Sequence, residues 1–303
     1  MTYLTGRLIE NAKRIPILVT GSSGYLGTEL SDQLWSAGVD FVGVDQEPGF
    51  GPEGRLLNLA EEGPVRALFK AVSPGTVIHT GTHSALAYRD DFMGAFKEDL
   101  LVVSNVLEGL SGDPEARLIF FSSSYVYSGL DLARPVAEAT ASSPSHTFGV
   151  AKLFFEQFVL RNHPNSVVFR LSSVFGHGAQ RHPNAIANMA AECRADGRVT
   201  VWGEGKRRMQ YVYIEEVILS ILEAITLPPG LYNLGGSEYT SVAFTAGYIA
   251  RFFGSEVEFL SDKREGDTLP FMQTEKLRSS TPEYRSYSFS TALDAYLSQI
   301  QGL

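Results

Sequence analysis

Three glycines, in Gly21-Ser-Ser-Gly24-Tyr-Leu-Gly27, stand between an apolar run, IPILVT (15–20), and a stretch in which Leu26, Leu30 and Leu34 recur every fourth residue. That order reads as a strand, a glycine turn and an amphipathic helix, which Gly38 is placed to stop. Glycines in such a turn permit the sharp bend, let the backbone approach a phosphate with no Cβ in the way, and let the helix pack closely on the strand. The helix N-terminus then offers N–H groups to an anion. The spacing is one residue wider than the dinucleotide fingerprint G-x-G-x-x-G. A second apolar run, FVGVD (41–45), ends at Asp45, about twenty residues further on, where a carboxylate can hydrogen-bond both ribose hydroxyls of an adenosine. No Lys or Arg follows within GVDQEPG, so the pattern predicts NAD rather than NADP, whose 2′-phosphate Asp45 would repel.

Further runs, TVIHT (76–80), RLIFFSS (117–123) and SVVFRLS (166–172), alternate with amphipathic stretches and carry few charges, as strands of a parallel sheet buried on both faces should. The fold expected is α/β, a Rossmann-type doubly wound parallel sheet over 1–172. After that the texture changes. GHGAQRHPN (176–184) is loop-like, VTVWGEGKRR suggests a strand and turn, and LYNLGGSEYTS another strand, so 173–303 is expected to form a smaller substrate-binding lobe. Residues 211–230, a strand turning into a helix, are expected to pack back on the first lobe. The N-terminal MTYLTGRLIENAKR reads as a polar lead-in, without the apolar stretch of about 7 to 15 residues that a secretion signal needs.

Composition narrows the function classes. With 303 residues, 44% apolar and 19% charged, the chain reads as globular. A net charge of −9 argues against a nucleic-acid partner, because neutralising phosphates needs a basic surface. No apolar run approaches the ~18 residues that cross a bilayer, so no membrane partner is expected. The one cysteine, Cys193, precludes an internal disulfide and suits a reducing cytoplasm. Six histidines (79, 83, 146, 163, 177, 182) include no H-E-x-x-H and no cysteine partner, so no metal site is expected.

Several segments, in order, make the sequence resemble the extended short-chain dehydrogenase/reductases, the NAD-dependent epimerase/dehydratase group that acts mostly on nucleotide sugars. Besides the glycines, Asn58-Leu59 stands where the family has an Asp-hydrophobic pair near adenine, and VIHTGT (77–82) resembles its V-I-H-L-A-A strand end. FSSSYVYSG (121–129) resembles S-[ST]-x-x-V-Y-G, SPSHTFGVAKLFFEQ (143–157) the active-site helix, and RLSSVFGHG (170–178) R-x-x-N-V-Y-G-P-G. GEGKRRMQYVYIEEV is similar to G-D-G-x-x-x-R-D-F-V-x-V-D-D, and YNLGG to Y-N-[IL]-G-[GS].

The resemblance implies a cofactor site of Gly21, Ser23, Gly24, Tyr25, Leu26, Gly27 and Asp45. Asn58, Leu59, Thr80, Gly81 and Thr82 extend it, with Lys152, Leu171 and Ser173 at its far end. It implies a substrate, a sugar, nucleotide sugar or related polyol, held by Ser123, Ser124, Tyr125, Ser173 and Arg208. Ser123 aligns with the catalytic Ser/Thr and Lys152 with the lysine of Y-x-x-x-K, which in the family bonds the nicotinamide ribose and lowers the pKa of the tyrosine.

The tyrosine position itself is Phe148, the third catalytic position, and phenylalanine has no proton to exchange. Its surroundings, Ser123, Lys152, the glycines and Asp45, are intact, which points to an enzyme inactivated by replacement of tyrosine with its near-isostere. The alternative is a catalytically dead NAD-binding sensor or structural subunit. Two phosphate contacts of the family are also missing, since its Asn is Ser173 and its Arg is Met209, which leaves Lys206, Arg207 or Arg208 to meet a diphosphate. Ser123-Ser124-Tyr125 replaces the Thr-Asp-Glu of family dehydratases, so epimerase or alcohol dehydrogenase chemistry is expected.

Two stretches, 92–110 and 148–160, are apolar on more than one stripe, whereas a helix covering a sheet needs only one. The surplus predicts a partner. The family pairs through a four-helix bundle of these elements, so a homodimer is expected.

Overall fold

The computed structural model describes residue 4 and residues 6–13, 15–48, 54–178, 183–281 and 284–302. Seven parallel strands form the central sheet. From one edge they are Gly230–Leu234 (β10), Ser166–Leu171 (β6), Arg117–Ser123 (β5), Thr76–His79 (β4), Ile17–Thr20 (β1), Phe41–Asp45 (β2) and Arg55–Leu56 (β3). Successive side chains point to opposite faces of a strand. Ile17, Val19, Ile78, Ile119, Val167 and Phe169 therefore enter one core, and Leu18, Val77, Leu118, Phe120 and Val168 the other. Gly6–Lys13 (α1), Tyr25–Ser36 (α2) and Ile214–Glu223 (α8) cover the first face. Glu62–Val72 (α3), Ala85–Asp90 (α4), Phe92–Leu110 (α5) and Thr147–Asn162 (α6) cover the second.

The rest of the chain sits at the C-terminal ends of these strands. Ser173–Phe175 (β7), Arg208–Tyr213 (β9) and Tyr239–Ser241 (β11) form a three-stranded sheet, and Arg198–Trp202 (β8) pairs in parallel with Glu256–Leu260 (β12). Ala185–Asp196 (α7), Val242–Phe253 (α9) and Phe289–Gln301 (α11) pack with them, and Glu275–Ser280 (α10) lies near β10. Their apolar residues, among them Phe175, Met189, Val199, Ile249 and Leu293, continue the first core without a break.

The structure differs from the sequence reading at two places. The strand in LYNLGG, assigned there to the smaller lobe, is β10 of the central sheet. It pairs with the edge of β6, which would otherwise present unpaired N–H and C=O groups, and buries Tyr232 and Leu234. The N-terminal segment is not merely a polar lead-in: residues 6–13 form α1, which buries Leu8 and Ala12, and Arg7 reaches Glu223 of α8 at 2.7 Å. Residues 1–3, 5 and 14 of that segment, and 179–182 of the loop expected at 176–184, lie outside the described residues.

A buried polar network ties β6, α6 and β10 together. Arg170 donates to both carboxylate oxygens of Glu156 (3.1 and 2.5 Å) and to the Tyr127 hydroxyl (2.8 Å), which itself donates to Asn233 (2.8 Å). Glu156 is wholly buried. Removing one member of such a pair strands a charge in the interior, which costs about 3–5 kcal/mol. Glu156→Gln is therefore predicted to lower stability by about that amount in urea unfolding; an unchanged midpoint would refute this.

Candidate active site

The glycine turn leaves β1 where the strand order reverses, between β1 and β4, the place at which open α/β sheets bind ligands. Gly21 has φ +77°, and a Cβ on it would lie 2.4 Å from the Gly81 nitrogen; a Cβ on Gly27 would lie 2.1 Å from the Gly21 carbonyl oxygen. Only glycine fits either position. The N-cap of α2 is Gly24, which has no side chain with which to cap the first turn.

A cleft of about 480 Å³ opens there. Its lining brings together Gly21, Gly24, Tyr25, Leu26, Asp45, Asn58, Leu59, Thr80, Gly81 and Thr82, all singled out from sequence. Asp45 accepts hydrogen bonds from the backbone N–H of Ser23 (3.0 Å) and Glu47 (3.1 Å), which fixes its carboxylate at the cleft wall. Ser23 and Gly27 support the turn rather than line the cleft. His83, Ser84, Glu98 and Asp99 also line it and were not singled out as site residues from sequence.

A second cavity of about 130 Å³ lies at the end of β5. Ser123, Ser124, Tyr125, Leu171, Ser173 and Arg208 line it, with Met209, Leu269 and Pro270 as its apolar wall. Leu171, expected at the far end of the cofactor site, and Ser173, expected both there and among the substrate contacts, line this cavity. Arg208 stacks over the Tyr239 ring at 4.2 Å and donates to the Tyr239 carbonyl. The other two cations considered for a phosphate are engaged elsewhere: Lys206 pairs with Glu204 on the surface, and Arg207 donates to the Asp267 carbonyl. Gln210, at the family's R-D-F segment, is bound on both ends of its amide by Gly236 and Met272 and is a structural residue.

Between the two cavities lies Lys152. It is buried, and its Nζ donates to Thr82 Oγ1 (2.7 Å), in the wall of the cleft, and to the Phe121 carbonyl (3.2 Å), two residues before Ser123. Burial brings the Lys152 pKa down to about 8, although the Asp99 carboxylate nearby opposes this. The Phe148 ring centroid is 5.5 Å from Nζ, and the ring packs against Tyr88 and Tyr125. Gly149 permits this approach, since a Cβ there would lie 2.2 Å from the Tyr125 carbonyl oxygen. Tyr127 is fully buried in the Arg170 network and burial raises its pKa, so it cannot serve as a base. Among the described residues no cluster of His, Cys, Asp or Glu is arranged to hold a metal, and no helix is long and apolar enough to cross a membrane.

Cβ-free backbone at the turn, a helix N-terminus with glycine as its N-cap and a carboxylate at the end of β2 fit a dinucleotide with a free 2′-hydroxyl. The chain is an NAD-dependent enzyme of the extended short-chain dehydrogenase/reductase type. It belongs to the NAD dependent epimerase/dehydratase family, whose model matches residues 17–235. It is similar to the spore coat polysaccharide biosynthesis protein SpsK of Bacillus subtilis (strain 168), 25% identical over 254 residues, 81% of this chain and 82% of that protein. It is 29% identical over 173 residues to methionine adenosyltransferase 2 subunit beta of Xenopus laevis, 56% of this chain and 50% of that one. Its fold is that of the Thermus thermophilus UDP-glucose 4-epimerase in complex with NAD, with a TM-score of 0.84 at 20% identity, covering 95% of this chain and 99% of that one.

Asp45 and the absence of Lys and Arg from the described cleft lining predict much tighter binding of NAD than of NADP. Asp45→Ala should weaken NAD by about 1.5–3 kcal/mol, the worth of hydrogen bonds to a charged group. Calorimetry showing equal affinity for NADP, or no loss in the variant, would overturn the assignment.

Proposed function

We propose that this protein is an NAD-dependent oxidoreductase or epimerase acting on a secondary alcohol or ketone of a sugar, nucleotide sugar or related polyol, with its acid/base group absent at position 148. The observation that carries this is the placement of Lys152, which joins the wall of the cofactor cleft to the strand ending in the serine-lined cavity. Bound NAD supplies the hydride acceptor. Ser123 orients the substrate hydroxyl at the end of β5, and Arg208 is the cation available to an anionic part of the substrate. Lys152 holds the nicotinamide ribose. Phe148 keeps the aromatic wall beside Lys152 and takes up no proton, so cofactor and substrate bind while turnover stays low.

A second reading, an NAD-binding sensor or structural subunit without catalysis, has two supports. Phe148 itself favours it, and so does the likeness to a protein named as the subunit of another enzyme. The readings part at Phe148→Tyr. The variant should gain about 10²- to 10⁴-fold in NAD-linked turnover on sugars, nucleotide sugars or polyols, the usual contribution of an acid/base group. Its activity should fall above about pH 8, as Lys152 loses the charge that favours a phenolate. Absence of turnover in both forms would support the subunit reading.

Homodimerisation belongs to the same proposal. Met93 and Leu101 of α5 and Val150 and Phe154 of α6 are each 42–55% exposed, an apolar strip on neighbouring helices that the monomer leaves in water. Sedimentation should show a dimer at micromolar concentration and a monomer for Phe154→Glu; a monomeric unaltered chain would refute it.

A further inference from the structure

The cofactor cleft is poor in positive charge. Asp45, Glu98 and Asp99 line it, and among its described lining residues His83 is the one side chain able to carry a positive charge. A dinucleotide brings a pyrophosphate dianion into that space, where the N-terminus of α2 contributes only about half a charge. His83 lies on the segment after β4. Two residues earlier Gly81 backs directly on Gly21, and one residue earlier Thr82 is bonded by Lys152. The imidazole lines the same cleft as Gly21 and Gly24 of the glycine turn and as Thr82, the residue that Lys152 holds.

Its orientation is set by a buried carboxylate. Asp99, 1% exposed, accepts from His83 Nδ1 (2.8 Å), from the His83 backbone N–H (3.0 Å) and from the Tyr88 hydroxyl (2.7 Å). That turns Nε2 away from Asp99 and towards Glu98, a half-exposed carboxylate 3.5 Å away that a phosphate would have to displace or share. The side chain is 30% exposed, so a ligand can reach it.

We propose that His83 Nε2–H is the cationic contact of this cleft to the pyrophosphate of NAD, with Asp99 as its positioning residue. The proposal rests on NAD binding in this cleft and adds the group that receives the phosphates. The charges around the ring act in both directions. Asp99 and Glu98 from α5 raise the His83 pKa above 6.5, while partial burial and Lys152 from α6 oppose them. Asp45 faces the same cleft from β2, Tyr88 of α4 stays a neutral phenol, and His79 beneath, its pKa brought down to about 4 by burial, stays neutral. A histidine whose pKa is raised is charged below that pKa and loses its charge as the pH rises through it. NAD affinity should follow the same course, and binding above that pKa should take up a proton at His83.

Calorimetry on the full chain, with NAD, ADP-ribose and adenosine as probes from pH 6 to 9, tests this. NAD and ADP-ribose should weaken about tenfold across the range, and His83→Gln should show the weaker value already at pH 6, with a flat profile and unchanged adenosine binding. Asp99→Asn should move the inflection to lower pH. Titrations in buffers of different ionisation enthalpy should show proton uptake on NAD binding that His83→Gln abolishes. Uptake that persists in His83→Gln would assign the proton to Lys152 and overturn the proposal. So would a wild-type pH profile in the variant, an equal loss for adenosine, or an inflection unmoved in Asp99→Asn. Failure of the unaltered chain to bind NAD at any pH would instead remove the cofactor assignment itself.

Discussion

A single buried ammonium holds the two halves of the site in register. Lys152 donates to Thr82 on one side and to the Phe121 carbonyl on the other, and burial alone would drive it towards its neutral form. A desolvated cation persists only where partners replace its water. The neighbours answer that demand: two oxygen acceptors at hydrogen-bond distance, the Asp99 carboxylate close by, and the rings of Phe148 and Phe120 at 5.5 and 5.6 Å. The wall of the cofactor cleft and the strand that delivers Ser123 are therefore fixed relative to one another through one side chain.

The rest of the scaffold limits how far those groups can move. Backbone contacts at Gly21, Gly27 and Gly149 place the glycine turn, α2 and α6 closer than any Cβ would allow. The Arg170 network spans α6, β6, β10 and the turn after β5, so the strand that closes the sheet edge is bonded to the turn that follows Ser123. Such fully satisfied buried networks have one good arrangement. Asp99 plays a comparable part in the neighbouring helix α5, where three donors converge on one buried carboxylate.

Much of this was legible in the sequence because the relevant signals are local. Continuous apolar runs marked β1, β2, β4, β5 and β6 to within two residues, and Gly38, with φ +65°, ends the region of α2 as read. The glycine turn and Asp45 followed from the spacing of a strand, a turn and a second strand. Motif order located Ser123, Phe148 and Lys152 by resemblance. Less legible were α1, eight residues with only two fully buried positions, and the sheet to which β10 belongs, since a run of apolar residues announces a strand without naming its partner.

The chain by itself determined the α/β class, the phosphate-compatible turn and a side chain without a hydroxyl at position 148, because each depends on residue type within a short window. Tertiary structure alone decided which distant groups share a surface. His83 and Asp99 are sixteen positions apart, on a loop and on a helix, and no spacing rule joins them until α5 packs beside the end of β4. Likewise Arg208 enters the serine-lined cavity while Arg207 and Lys206 turn away, a choice made by Tyr239, Asp267 and Glu204. Neighbouring residues of the same charge look equivalent in sequence; they differ once long-range contacts hold one of them at a cavity wall and the others away from it.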